Sequence, residues 1–302
     1  MKEKITIFWH SFQGKTILVL LLVIAAGLGL AAREYTESRK NYNGIQIENS
    51  EAVAEKIRTG LAHRAWKLHI TFRAHTDDEE RIKSLVDGLL EQALYESDDP
   101  KGGDYIRYQL GGYTMNYDVE EVFYGYEYKM ELMPTYYSTA EQEAYVDEEV
   151  AKVLTELDAG ALSEEGKIRK VHDYLVDTLS YDSVHKDNQS SHGKTTAYAA
   201  LKYHQVVCQG YAVLGYRLLK ELGVGCRIVS GEAQIGDIVE RHAWLSVQIG
   251  DRILYLDPTL DDVHSCYDWY MKTAEEFAAD HRPEQRKFGE QDGTGQIDDS
   301  DG

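Results

Sequence analysis

Three stretches within residues 203–262 decide the reading: Val207-Cys208-Gln209-Gly210-Tyr211-Ala212, Arg241-His242-Ala243-Trp244, and Tyr255-Leu256-Asp257-Pro258-Thr259. They present a thiol, an imidazole and a carboxylate in that order, the composition of a cysteine catalytic triad. After Cys208, Tyr211, Leu214, Leu218 and Leu222 recur at three- and four-residue spacing, which predicts a helix. Arg217, Lys220 and Glu221 are expected on its wet side, and Gly223 as its C-terminal cap. Cys208 then falls in the first turn, where free N–H groups and the positive dipole end favour a thiolate and can receive an oxyanion. Gly210 is expected to keep the approach to the thiol open.

Around the histidine, Ala243, Leu245 and Val247 alternate with His242, Trp244 and Ser246. Period-two alternation predicts a strand with His242 and Trp244 on one face. A turn at Gly250-Asp251 leads into Ile253-Leu254-Tyr255-Leu256, so a hairpin would carry Asp257 to the strand beside His242. Pro258 would end the pairing. Each residue also has an ordinary reading. An isolated cysteine is commonly a small buried hydrophobe, a strand histidine a satisfied core group, and Asp-Pro a turn. The three together, each in compatible local structure, favour catalysis. Cys226, in the apolar run Cys226-Arg227-Ile228-Val229, and Cys266 are read as structural.

Further ordered pieces surround these three. Ser163-Glu164-Glu165-Gly166-Lys167-Ile168 opens a helix running through Leu175; Tyr181-Asp182, Thr196-Ala197-Tyr198-Ala199-Ala200-Leu201 and Gly223-Val224 follow, and Leu256-Asp257-Pro258-Thr259-Leu260-Asp261-Asp262 closes the series. From about Ser163 to His281 the chain resembles the transglutaminase-like superfamily, whose core is similar to that of papain. The resemblance implies an α+β fold in which a helix bearing the cysteine packs on an antiparallel sheet bearing the histidine and aspartate. It implies Cys208 as nucleophile, His242 as base and Asp257 as its orienter. The chain departs from the family pattern at Leu245, where Asn is frequent, and in Ile253-Leu254-Tyr255, where a Trp is frequent. Gln205 and Gln209 are near enough in sequence to be considered as a second oxyanion donor, but neither is assigned.

The 302 residues suffice for two modest domains, and a formal net charge of -20 argues against nucleic acid as a partner. Three cysteines allow at most one disulfide, so cross-linking is not the stabilising device. His185, His192 and His204 lack metal-ligand spacing and no phosphate-binding glycine loop appears, so no metal and no cofactor is expected. Ile17 to Ala32 carries no charge. As a helix it would span roughly 24 Å, a little under the roughly 30 Å hydrocarbon core. Lys2, Lys4 and Lys15 precede it, which favours a signal anchor with residues 33–302 outside the cell; Leu30-Ala31-Ala32 offers the alternative of a cleaved signal peptide and a secreted product.

The expected organisation is a cytoplasmic segment at 1–15, a transmembrane helix at 16–32, a stalk at 33–48, a small α+β domain at 49–135, a transglutaminase-like domain at 136–281 and a disordered acidic tail at 282–302. In the small domain, helices are expected from Ser50 and over Asp77–Tyr95. Strands are expected over Trp66–Arg73, Tyr105–Met115 and Val122–Leu132, with Tyr124, Tyr126 and Tyr128 read as one packed face. Helices are expected over Thr139–Leu157, Ser163–Leu179 and Asp268–Asp280. The functional expectation is an exported thiol enzyme that acts on peptide or carboxamide bonds through an acyl-enzyme. Its substrate would be a protein or peptide, with a cell-wall or surface protein as one candidate. Water as acceptor, making it a peptidase or amidase, is slightly preferred to an amine, which would make it a cross-linking enzyme. The alternatives are an inactive binding module that keeps the same residues for packing, and a chain whose small domain does the recognition.

Overall fold

The computed structural model describes residues 50–75, 77–123, 125–184 and 193–284. The expected cytoplasmic segment, apolar span and stalk, together with His185, His192 and Tyr124, lie outside these residues. Among the described residues no helix is long and apolar enough to cross a membrane. Contacts divide the chain into two units, neither of them one continuous stretch. One takes Ser50, Thr71–Leu85 and Asp118–Lys129; the other takes Glu51–Ile70, Val86–Tyr117 and the chain from Met130.

The first half of the chain supplies α1 (Ser50–Ala62), β1 (Leu68–Ala74), α2 (Glu79–Ala93), α3 (Gly103–Arg107), β2 (Leu110–Val122) and β3 (Gly125–Tyr136). Strict alternation buries Leu68, Ile70, Phe72 and Ala74 on one face of β1. The three strands form a sheet of order β1-β3-β2. Within the smaller unit the Phe72 and Tyr128 rings stack at 5.1 Å, and Tyr128 is buried. The strand expected over Tyr105–Met115 is divided: its first residues form α3 and β2 begins at Leu110. The reason is tertiary. Asp104 is buried in α3 because its carboxylate receives Arg227 (2.7 and 3.0 Å) and the Ile228 N–H (3.0 Å), partners more than 120 residues away.

The second half adds α4 (Ala140–Leu157), α5 (Glu164–Thr178), β4 (Ser180–Tyr181), α6 (Ala197–Tyr203), β5 (Gln205–Val206), α7 (Cys208–Glu221), β6 (Cys226–Ile235), β7 (Ile238–Ile249), β8 (Arg252–Leu256), α8 (Pro258–His264), α9 (Ala274–Phe277) and β9 (His281–Glu284). Thr139 and Gln142 cap α4 reciprocally, and the Ser163 hydroxyl accepts the Gly166 N–H at the start of α5. The main sheet has the order β8-β7-β6-β9, and β7 pairs antiparallel with β6 and with β8.

Helix α7 lies in the centre of the core. Residues Gly210–Leu219 are all buried, including Leu214 and Leu218, each contributing about 1.5–3 kcal/mol on burial. Arg217 is therefore not on a wet face. It is 2% exposed, donates to Asp147 (2.8 Å) and Glu221 (3.0 Å), and lies 5.3 Å from the Tyr105 ring. The helix ends as its glycine indicates: Gly223 (φ 73°) donates to the Lys220 carbonyl and Val224 to that of Leu219, closing a Schellman motif.

Two corrections concern the C-terminal part. The helix expected over Asp268–Asp280 is confined to Ala274–Phe277, because Trp269 and Lys272 use their backbone groups on Asp257 and Tyr255. The domain does not end at His281: residues His281–Glu284 pair with β6, so 282–284 are strand rather than tail. Gly231 makes that pairing possible, since a Cβ there would lie 2.1 Å from the Arg282 carbonyl oxygen.

Candidate active site

The three sequence-selected residues converge where α7 meets the main sheet. Cys208 is the first residue of α7, in the turn whose N–H groups lack helical partners, and it is half-buried. His242 lies in the buried middle of β7, opposite Gly231 of β6. Leu256 pairs with Leu245, so Asp257 leaves β8 level with Trp244, on the diagonal from His242. His242 Nε2 is 2.6 Å from Asp257 Oδ2, and both side chains are almost fully buried. After Asp257, the Cys208 thiol is the next group that pushes the pKa of this imidazole up.

Asp257 is fixed by more than its histidine. It is the N-cap of α8, with Oδ1 accepting from the backbone N–H groups of Thr259 (3.0 Å) and Leu260 (3.2 Å) and Pro258 following it in the first turn. The reading of Pro258 as a strand terminator was incomplete: Asp-Pro-Thr is also a helix start. The second carboxylate oxygen accepts from His242 and from His281 Nε2 at 3.2 Å. Sequence reasoning missed His281, since a four-residue strand containing proline has no readable alternation.

Electrostatics follow from this geometry. Burial disfavours the charged imidazole of His242, but Asp257 and then Cys208 outweigh it and hold its pKa well above the ordinary histidine range. Burial pushes the Asp257 carboxyl up, yet His242 and His281 more than reverse this and hold it well below the usual carboxylate range. Burial raises the thiols of both Cys226 and Cys266, which keeps them in the unreactive class.

Three expectations around Cys208 change. A Cβ at Gly210 would lie 2.5 Å from that of Val206, so this glycine allows close packing of α7 on β5 rather than opening a path to the thiol. The Gln209 side chain donates to the Tyr108 carbonyl at 2.6 Å and is not available to an oxyanion. Gln205 is exposed in β5. Among the described residues, His242, Asp257 and His281 also bring three ligand atoms within 4.8 Å of one another. Their 2.6 and 3.2 Å separations are those of hydrogen bonds. A metal there would have to displace both donated protons and would occupy the imidazole.

Residues 151–258 match the family model of the transglutaminase-like superfamily, and this segment is transglutaminase-like. No curated protein matches the chain. Three solved structures resemble it. One is described as a TGase, with 16% identity, 64% of this chain and 50% of that chain covered, and a TM-score of 0.36. Another is described provisionally as a cysteine protease from Cytophaga hutchinsonii, with 15% identity, 50% and 65% covered, and a TM-score of 0.31. The third is described provisionally as a protease from Parabacteroides distasonis, with 12% identity, 49% and 36% covered, and a TM-score of 0.29. The chain thus spans half the length of the first of these.

Proposed function

We propose that this protein is a cysteine-dependent acyl-transfer enzyme acting on peptide or carboxamide bonds, with Cys208 as nucleophile, His242 as acid and base, and Asp257 as orienter. The observation that carries the reading is the 2.6 Å His242–Asp257 hydrogen bond, made by an imidazole whose pKa the Cys208 thiol at the start of α7 also raises. In this reaction the Cys208 sulfur attacks the substrate carbonyl carbon, and the developing oxyanion receives the Cys208 N–H in the first helical turn. The carbon–nitrogen bond then breaks as His242 gives its proton to the leaving amine, and a thioester remains on Cys208. An acceptor loses a proton to His242 and attacks the thioester, which returns the thiolate and the imidazolium. Water as acceptor makes the enzyme a peptidase or amidase and needs no second substrate site; a primary amine makes it a cross-linking enzyme.

The apolar run Ile17–Ala32 supports attachment to a membrane with the catalytic domain exported, or secretion after cleavage. A protein or peptide at the cell surface is the substrate class that follows. The test is a mass-resolved screen of full-length protein against glutamine-containing peptides, with and without a primary amine. Acyl adducts, deamidation, cleavage or amine incorporation that disappears in Cys208→Ala supports the reading. Activity that survives alkylation of Cys208 overturns it; the absence of every such product leaves a binding module.

A further inference from the structure

We infer that His281, held by Asp280, is a positioning residue for the acid–base pair; this rests on the proposed roles of Cys208, His242 and Asp257. His281 heads the edge strand β9 opposite Ala233, and its side chain is fully buried. Its ring stacks on Phe277 at 3.9 Å and meets the edge of Trp244 at 4.9 Å. Packing therefore sets the ring plane, and the nitrogens set its direction. Nε2 is 3.2 Å from Asp257 Oδ2 and Nδ1 is 2.6 Å from Asp280 Oδ1. Asp280 is itself anchored, because its Oδ2 accepts the Trp269 indole N–H at 2.8 Å.

Both ring nitrogens face carboxylate oxygens. The titratable neighbours of the ring are Asp257, Asp280 and, at 5.9 Å between ring centroids, His242. The hydrogen-bonded chain Trp269–Asp280–His281–Asp257–His242 thus runs unbroken from the loop after α8 to the imidazole. Two backbone N–H groups hold one oxygen of Asp257. His281 supplies the second donor on the other oxygen, the one that meets His242. Without it, that oxygen has a single fixed partner and the carboxylate can turn about its capped side. His242 would then lose alignment toward Cys208 without any loss of substrate contacts.

The experiment measures iodoacetamide alkylation of Cys208 in the full-length chain at pH 6 and pH 9, as a ratio of rates. At pH 9 a free thiol is largely ionised, so the ratio reports activation by His242 rather than access. His281→Phe keeps an aromatic stack and removes both donors; His281→Gln keeps one donor for Asp257. The expected ratio falls on the order of ten-fold in His281→Phe, about the worth of one charge-assisted hydrogen bond, and is at least half restored in His281→Gln. A wild-type ratio in His281→Phe, or equal losses in both variants, overturns the inference. Should His281→Phe fail to fold, Asp280→Asn carries the test, with the same direction expected and a wild-type ratio overturning. His242→Ala separates the two levels of argument. If it leaves the ratio unchanged, the acid–base reading fails; if it abolishes the ratio and His281→Phe does not alter it, only the role of His281 fails.

Discussion

Asp257 and Asp261 stand one turn apart on α8, and each receives the Nε2 of a buried histidine, His242 at 2.6 Å and His172 at 3.0 Å. The second pair is a scaffold for the first. Asp261 Oδ1 accepts the Trp269 N–H at 3.0 Å, and the Trp269 carbonyl accepts the Asp257 N–H at 2.9 Å. The helix that presents the candidate carboxylate is thus tied to α5 through His172 and to the following loop through Trp269.

Replacing Asp261 by Ala tests that scaffold. It leaves His172 buried with neither nitrogen hydrogen-bonded, since its Nδ1 has no hydrogen-bond partner among the described residues. We expect a loss of about 1–3 kcal/mol in urea unfolding. A midpoint equal to that of the wild type would show that the pair does not support the fold.

The His242–Asp257 pair should leave its mark on stability against pH. The folded pKa of His242 is raised, so its contribution is complete below the unfolded value of about 6.5 and is lost as pH rises through the folded value. The folded pKa of Asp257 is lowered, so its contribution is present above about 3.9 and is lost as pH falls toward the folded value. The melting difference between wild type and His242→Gln should therefore shrink steadily as pH rises from 6 to 9. A constant difference would contradict the raised imidazole.

Substituting Asp257 by Asn removes the charge that opposes burial at His242. The imidazole pKa should then fall, because the largest opposition to desolvation is gone and only that of Cys208 remains. Histidine NMR titration reads this directly, and a His242 that titrates as in the wild type would refute the assigned cause.

Gly210→Ala should disturb the first turn of α7. The added Cβ would meet Val206 at 2.5 Å and the Lys194 carbonyl at 3.0 Å, and backbone cannot yield as a flexible side chain can. A destabilisation of about 1–3 kcal/mol is expected, with slower alkylation of Cys208. An unchanged unfolding midpoint would mean that the turn has room the geometry does not show.

The half of the molecule that carries the candidate site was largely legible because its signals are local. Leucine spacing marked α7, Gly223 marked its end, and alternation placed His242 on a strand that a short hairpin joins to Asp257. What escaped reading depends on distant partners. Arg217 looked like a wet-face residue until Asp147 and Tyr105 enclosed it. Gly210 looked like an open approach, whereas Val206 fills that space. The helix at Gly103–Arg107 follows from Arg227 and Ile228, which no local pattern announces. His281 reaches Asp257 only because β9 joins β6 beside Gly231. The start of α8 is a local signal that reading Pro258 only as the end of a strand passes over, since an N-cap aspartate before proline is a helix signature.

The most direct measurement is the rate at which iodoacetamide labels Cys208 at pH 6 in the full-length protein and in His242→Ala, followed by intact mass and peptide mapping. Wild-type protein should label at Cys208 alone, on the order of ten-fold faster than the variant, with the two rates converging above pH 9. Cys226 and Cys266 should remain unlabelled, since burial raises both thiols. Equal rates at pH 6 would contradict the central claim, because the imidazole would then not activate the thiol.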